Sequence, residues 1–131
     1  MTQEDKALLL KDLCARLPYD TVCQVEFKSD GKYESKNMIL SGIFKDEAYF
    51  TIENGSVYSN DYKPYLFPLS SMTEEQRQEL ESLMEVTAVP AWGEILSPTS
   101  EYYDWLNKTY FDYRNLIDKN LAIDCTNLNI Y

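Results

Sequence analysis

The sequence predicts a single α+β domain over residues 1–131, in which a small antiparallel β-meander of three to five strands has two or three helices packed on it. Two observations favour this fold class. The chain of 131 residues is 44% hydrophobic, so it is long enough and apolar enough to form one core. Apolar residues recur at helical spacing near the N-terminus and after residue 73, whereas they alternate between residues 21 and 58.

The first predicted helix begins after Thr2, which is suited to cap it, and Asp5 favours the positive end of the helix dipole. Its apolar side chains repeat at i, i+3, i+4 and i+7, which predicts one inward stripe with Cys14 buried in it. The residues of that stripe are Leu10, Leu13, Cys14 and Leu17. Pro18 ends the helix.

The meander follows. Residues 21–27 alternate between apolar and polar side chains, and a turn at residues 29–32 ends that strand. Residues 37–44 and 48–52 predict two more strands, joined around Asp46. Asn54-Gly55 predicts a hairpin turn that leads into a strand at residues 57–58. Residues 63–68, bracketed by prolines, predict an extended segment that is not a central strand.

The second predicted helix opens at Thr73, which has capping-box spacing to Gln76. Its inward residues are Leu80, Leu83 and Met84, with Thr87 as an optional fourth. Residues 89–93 break the helix, and a short third helix starts at Ser100. Residues 121–123 suggest an edge strand, and residues 126–131 a loose tail.

Composition disfavours several function classes. The net charge of −10 argues against direct binding of nucleic acid and against attraction to an anionic membrane. No apolar stretch approaches a membrane span, and the N-terminus does not read as a secretory signal. The three cysteines are widely spaced, which favours a reducing compartment. We therefore expect a cytoplasmic protein of a bacterial host cell.

The chain contains no histidine and no glycine-rich phosphate loop, and its aspartates lack the spacing of a cation-binding loop. We therefore expect a protein that is not an enzyme and that has no catalytic residue, cofactor or metal site. A small carboxylate-based enzyme stays open as an alternative, because glycosidase-type chemistry needs only two carboxylates. Among 22 acidic residues, however, a chance pair is uninformative.

An acidic patch is the clearest electrostatic feature. Residues 72–104 contain eight carboxylates and one opposing cation, Arg77. On the predicted helix, Glu75, Glu79 and either Glu81 or Glu85 lie on the solvent side. Carboxylates at i, i+4 spacing are about 6 Å apart, which resembles the spacing of nucleic-acid phosphates. Such a row suits a basic groove on a partner protein, although a merely solvated face is the alternative. The predicted partner-binding carboxylates are Glu75, Glu79, Glu81 and Glu85.

Aromatic residues are dense between residues 102 and 113, more so than one small core face requires. We assign the surplus tyrosines Tyr102, Tyr110 and Tyr113 to the same partner-binding role, because tyrosine is enriched at interface hot spots. Asp112 and Arg114 are predicted to be structural anchors: a charge-assisted hydrogen bond and stacking of the guanidinium on a ring would hold this turn.

Three segments, KPYLFPLSSMTEE at 63–75, DWLN at 104–107 and FDYRNLI at 111–117, resemble a group of small uncharacterised proteins from phages and prophages of gut anaerobic bacteria. The opening LLLKDLCARLPY is similar too. The resemblance implies a phage setting and carries over no catalytic residue. Our hypothesis is a non-enzymatic phage-type protein that binds a host protein, with inhibition of a nucleic-acid-targeting defence system, as an anti-CRISPR or a nucleic-acid mimic, as its most concrete version. A structural or assembly protein that forms a homo-oligomer is the other alternative.

Overall fold

A computed structural model of the protein describes residues 1–45, 47–52 and 55–131. The predicted α+β class is confirmed. The helices within those ranges are α1 (Gln3–Arg16), α2 (Glu74–Glu81) and α3 (Ser100–Lys108). The strands there are β1 (Val22–Ser29), β2 (Lys32–Phe44), β3 (Glu47–Ile52), β4 (Gly55–Ser59), β5 (Tyr62–Pro68), β6 (Met84–Val89), β7 (Gly93–Pro98), β8 (Phe111–Asp112) and β9 (Ile123–Asp124).

Strands β1 to β4 form the predicted antiparallel meander. The main sheet has the order β4-β3-β2-β1-β5-β8, and β9 also pairs with β5. This described sheet has seven strands, more than the three to five predicted, because β5, β8 and β9 extend it beyond the meander. The turns predicted at Asp46 and at Asn54 fall on residues outside the described ranges, but the strands on either side of each turn pair antiparallel.

Helix α1 covers one face of the sheet, where Leu9 and Leu13 pack against the main core. The predicted stripe was wrong by one position, because Asp12 and Arg16 are buried beside these leucines while Cys14 is exposed. An ion pair between Asp12 and Arg16 holds both charges inside, so the inward face of the helix is partly polar and hydrophobic spacing alone misplaces it.

The prediction that residues 63–68 cannot form an interior strand was wrong. Strand β5 pairs with β1 on one side and with the parallel strands β8 and β9 on the other. Pro64 is the last residue of the β1 pairing, and Pro68 is the last residue of the β8 pairing. Both prolines therefore lie at the ends of ladders, where a missing N–H is tolerated.

The second helix is shorter than predicted. Residues that were predicted to form its C-terminal part belong instead to a β-hairpin. Helix α2 ends at Glu81, and β6 pairs antiparallel with β7 over residues 84–89 and 93–98. The tip is a turn in which Trp92 N donates to Val89 O, with φ of 72° at Ala91. Pro90 at the second turn position and a positive φ at the third fit a type II turn.

The C-terminal residues are not a loose tail. The ring of Tyr131 stacks on that of Tyr110 with centroids 3.6 Å apart. Its hydroxyl accepts from Val22 N at 3.0 Å and donates to Tyr65 O at 2.9 Å. These bonds attach the chain end to β1 and β5, which explains why the predicted freedom of residues 126–131 was wrong.

Candidate protein-interaction surface

Helix α2 forms because its first turn is fully capped. Thr73 accepts a hydrogen bond from Gln76 N at 3.1 Å, and the Gln76 side chain accepts from Thr73 N at 2.9 Å. Glu74 and Glu75 favour the positive end of the helix dipole. Leu80 is the buried anchor of α2 and joins a second core cluster with Trp105 of α3. The remaining surface of α2 is free to carry charge.

Three of the four predicted partner-binding carboxylates lie on α2. Glu75, Glu79 and Glu81 are exposed on α2. Glu85 is also exposed, but it lies on β6, so it does not continue the helical row. The row on α2 is therefore shorter than the sequence predicted.

Arg77, the single cation of residues 72–104, is itself neutralised by a neighbour. Its guanidinium forms an exposed ion pair with Glu74. The hydrogen bond from Arg77 lowers the pKa of Glu74, which keeps that carboxylate ionised. Helix α3 adds exposed Glu101 and Asp104. The segment therefore presents an excess of negative charge to solvent.

The predicted tyrosines divide into two places. Tyr102 and Tyr113 are half-buried, and both pack at the edge of the second core cluster beside α3. Tyr103, which was not among the predicted residues, is the exposed member of the group. The centroid of its ring lies 5.3 Å from that of Tyr102 and 5.7 Å from that of Tyr113. Tyr110 is separate: it stacks on Tyr131, and its hydroxyl donates to Tyr19 O.

Asp112 accepts hydrogen bonds from the backbone N–H groups of Leu116 and Ile117, both at 2.9 Å. Arg114 lies over the ring of Tyr113, 4.5 Å from its centroid. Its charge partner is Asp12 of α1 and not Asp112. The two anchor residues therefore act on different parts of the fold: Asp112 on its own turn, and Arg114 on the junction with the first helix.

Asp12 is the centre of a buried charge cluster that the sequence analysis missed. Its carboxylate accepts from Arg16 at 2.8 and 3.1 Å and from Arg114 at 2.8 Å. Arg16 also donates to Phe111 O at 2.6 Å. The i, i+4 spacing of Asp12 and Arg16 was the available signal, but that spacing is usual for exposed pairs as well.

The β6–β7 hairpin, which we call the arm, is the second unanticipated feature. Its side chains are largely exposed, and apolar ones are among them. Trp92 at the tip is 82% exposed, and the cross-strand neighbours Val86 and Leu96 are 55% and 62% exposed. Contiguous exposed apolar side chains of this kind mark interaction sites.

A groove of about 510 Å³ lies at the base of the arm. Met72, Leu80, Met84 and Tyr102 line it, together with the oppositely charged Arg77 and Glu81. A volume of this size is within the range of small-ligand and side-chain pockets.

A close carboxylate pair does exist, between Glu26 and Asp61. The hydrogen bond that protonated Glu26 donates to the Asp61 carboxylate, and then the negative charge of Asp61, raise the pKa of Glu26. Both residues are exposed. Within the described ranges no group of three or more histidine, cysteine or acidic side chains is arranged to hold a metal ion.

Comparison with known proteins adds no relative. No protein-family model matches the chain, and no curated protein or solved structure matches it significantly. In the part of the chain that the structure describes, none of the helices is both long enough and apolar enough to cross a membrane.

Proposed function

We propose that this protein is a non-enzymatic binding protein whose acidic surface on α2 and α3 binds a basic surface of another protein. The observation that supports it most is the exposure of Glu75, Glu79 and Glu81 on α2, with Arg77 already paired to Glu74. An acidic surface suits a basic partner because charge steers the encounter, and the exposed Tyr103 of α3 can supply contact area.

The most specific form of the proposal is an inhibitor in the cytoplasm of a bacterial host, where a phage-type protein occupies the nucleic-acid groove of a defence protein. Carboxylates on a helix are spaced closely enough to stand in for phosphates along such a groove. The exposed positions of Glu75 and Glu79, four residues apart on α2, support this form.

The test compares two triple variants that change the net charge equally. Glu75→Lys, Glu79→Lys and Glu81→Lys reverse the acidic surface. Glu34→Lys, Glu47→Lys and Asp118→Lys reverse three exposed carboxylates elsewhere. Each purified protein is used as bait in a host lysate at about 0.15 M salt, where exposed charges act over about 8 Å.

We expect the wild type and the second variant to capture the same basic nucleic-acid-binding protein and the first variant to lose it. Addition of the nucleic acid which that protein binds should displace it from the bait. Equal capture by both triple variants, or capture that nucleic acid leaves unchanged, refutes the proposal.

A further inference from the structure

We propose that the slot which Tyr131 fills is a binding site for a phenol ring; its sides are formed by Val22, Tyr65, Phe67 and Tyr110. Tyr131 closes the site within this chain, and the site takes a tyrosyl side chain of another protein when Tyr131 leaves. This inference is separate from the proposed function, since the slot is built from β1, β5 and Tyr110 and not from the exposed faces of α2 and α3.

The base of the slot offers one hydrogen-bond donor and one acceptor. Strands β1 and β5 pair as far as Cys23 and Pro64. Val22 and Tyr65 come next in that register, and the Tyr131 hydroxyl lies between them. It accepts from Val22 N at 3.0 Å and donates to Tyr65 O at 2.9 Å. A hydroxyl on an aromatic ring satisfies both backbone groups at once, whereas a plain phenyl ring satisfies neither.

The walls of the slot are held by contacts that do not involve Tyr131. The ring of Tyr110 stacks on that of Tyr131, with the two planes 8° apart. Tyr110 is fixed at both ends, because its hydroxyl donates to Tyr19 O and its backbone oxygen accepts from Phe67 N at 2.8 Å. The ring centroid of Phe67 lies 6.2 Å from that of Tyr131. A site whose walls are fixed before the ligand arrives is preorganised for binding.

The segment that carries Tyr131 into the slot is attached weakly to the rest of the fold. Cys125 is buried, and its N–H donates to a backbone oxygen of β5 at 3.0 Å, so the chain is anchored as far as that residue. Residues 126–129 are exposed, and Ile130 is half-buried. Among the described contacts, those of Tyr131 are therefore the main attachment of the segment, and their release leaves the core closed. Tyr131 is 42% exposed, so the slot opens to solvent.

These features specify the ligand. The backbone groups at the base select a hydroxyl on an aromatic ring, and the ring of Tyr110 selects a flat partner. Tyrosine is the amino-acid side chain that has both, since phenylalanine lacks the hydroxyl and the tryptophan N–H cannot accept a hydrogen bond. Because Tyr131 is tethered beside the slot, its effective concentration is on the order of millimolar, which keeps the site closed to a dilute ligand.

The test is a titration of the Tyr131→Ala variant with p-cresol, which is the tyrosine side chain without its backbone. The NMR amide resonance of Val22 reports on the base of the slot. We expect a dissociation constant of about 1 mM, which follows from the affinity per atom of small ligands. Saturation should return the Val22 resonance toward its wild-type position, because a hydroxyl again accepts from that N–H.

Two controls separate the slot from non-specific binding. Benzyl alcohol is an isomer of p-cresol whose hydroxyl is not on the ring, so it should bind about 10-fold more weakly, the size of one lost hydrogen bond. Tyr131→Phe keeps a tethered ring in the slot, so it should bind p-cresol at least about 10-fold more weakly than Tyr131→Ala.

Circular dichroism should show that Tyr131→Ala is folded, because the walls of the slot are held without Tyr131. A Val22 resonance that p-cresol leaves unchanged up to about 10 mM, ten times the expected constant, overturns the proposal. Equal binding of benzyl alcohol, or equal binding of p-cresol by Tyr131→Phe, overturns it as well. An unfolded Tyr131→Ala chain does the same, since the walls would then depend on Tyr131.

Discussion

Replacing Asp12 with asparagine should destabilise the protein more than any surface change. The carboxylate accepts three hydrogen bonds from two guanidiniums, and Arg16 is fully buried. Asparagine retains one oxygen and turns an amide N–H₂ toward a cation. The substitution therefore removes the only carboxylate in the cluster and leaves Arg16 unable to reach water.

The magnitude follows from that burial. Each charge-assisted hydrogen bond contributes about 1.5–3 kcal/mol, and removing one partner of a buried ion pair costs about 3–5 kcal/mol. A loss of that size is a large fraction of the roughly 5–15 kcal/mol that holds a domain folded. For a chain of this length it corresponds to a fall in Tm of about 10–20 °C.

Arg114 provides the internal comparison. Its side chain is 17% exposed, and Asp12 keeps both bonds from Arg16 when Arg114 is lost. Arg114→Met should therefore cost only about 1–2 kcal/mol, because the remaining pair stays neutral. Glu4→Gln, an exposed carboxylate on the same helix, should change the free energy of unfolding by no more than about 0.5 kcal/mol.

The assay is urea unfolding followed by circular dichroism, with the slope of the free energy against urea compared between variants. A loss below about 1 kcal/mol for Asp12→Asn, or a larger loss for Arg114→Met than for Asp12→Asn, would refute the reasoning. Either result would mean that water or another group compensates the two guanidiniums.

Three further predictions concern the chain end, the thiols and one titration. Tyr131→Phe should lower the free energy of unfolding by about 0.5–1.5 kcal/mol in urea unfolding, because it removes the acceptor of a backbone N–H of β1; an unchanged midpoint would contradict it. At pH 8 a colorimetric thiol reagent should modify exposed Cys14 quickly and the other two cysteines only on unfolding, since both are buried and burial raises their pKa; fast reaction of two or more thiols would count against the fold. In an NMR titration the carboxyl of Glu26 should have its midpoint above 4.5, and Asp61→Asn should lower it. Because its folded pKa is raised, this pair stabilises the fold at low pH and loses that contribution as pH rises through the folded pKa. An unshifted midpoint in the wild type would exclude the hydrogen bond.

Local signals predicted the parts of the fold that local physics decides. The caps at Thr2 and Thr73 and the start of α3 at Ser100 follow from side chains that satisfy free backbone N–H groups. Alternation predicted the meander because one face of β1 and β2 is buried under α1. These features depend on neighbours in sequence, so the sequence displays them.

The parts that were missed depend on distant residues. Leu83, Met84 and Thr87 fit a helical stripe as well as they fit a strand, and only pairing with β7 decides between the two. Residues 63–68 lie in an interior strand because β8 and β9 pair with it. Each of these two strands is only two residues long, which is too short to predict. The predicted row of carboxylates is shorter in the structure for the same reason, since Glu85 lies on β6 of the arm and not on α2.

The buried charge cluster around Asp12 also affects the net charge of the acidic surface. Residues 66–131 carry 11 acidic and 4 basic side chains. Arg114, one of the four, is bound to Asp12 inside the fold, and Arg77, another, is paired with Glu74. Lys108 and Lys119 remain as the exposed basic side chains of this half that no described ion pair neutralises. The ion pair of Arg114 with Asp12 of α1 thus removes one cation from the surface. The surface of residues 66–131 is therefore more acidic than their composition suggests. A basic partner would meet that field before it touched any side chain, so the rate of association should fall steeply with added salt.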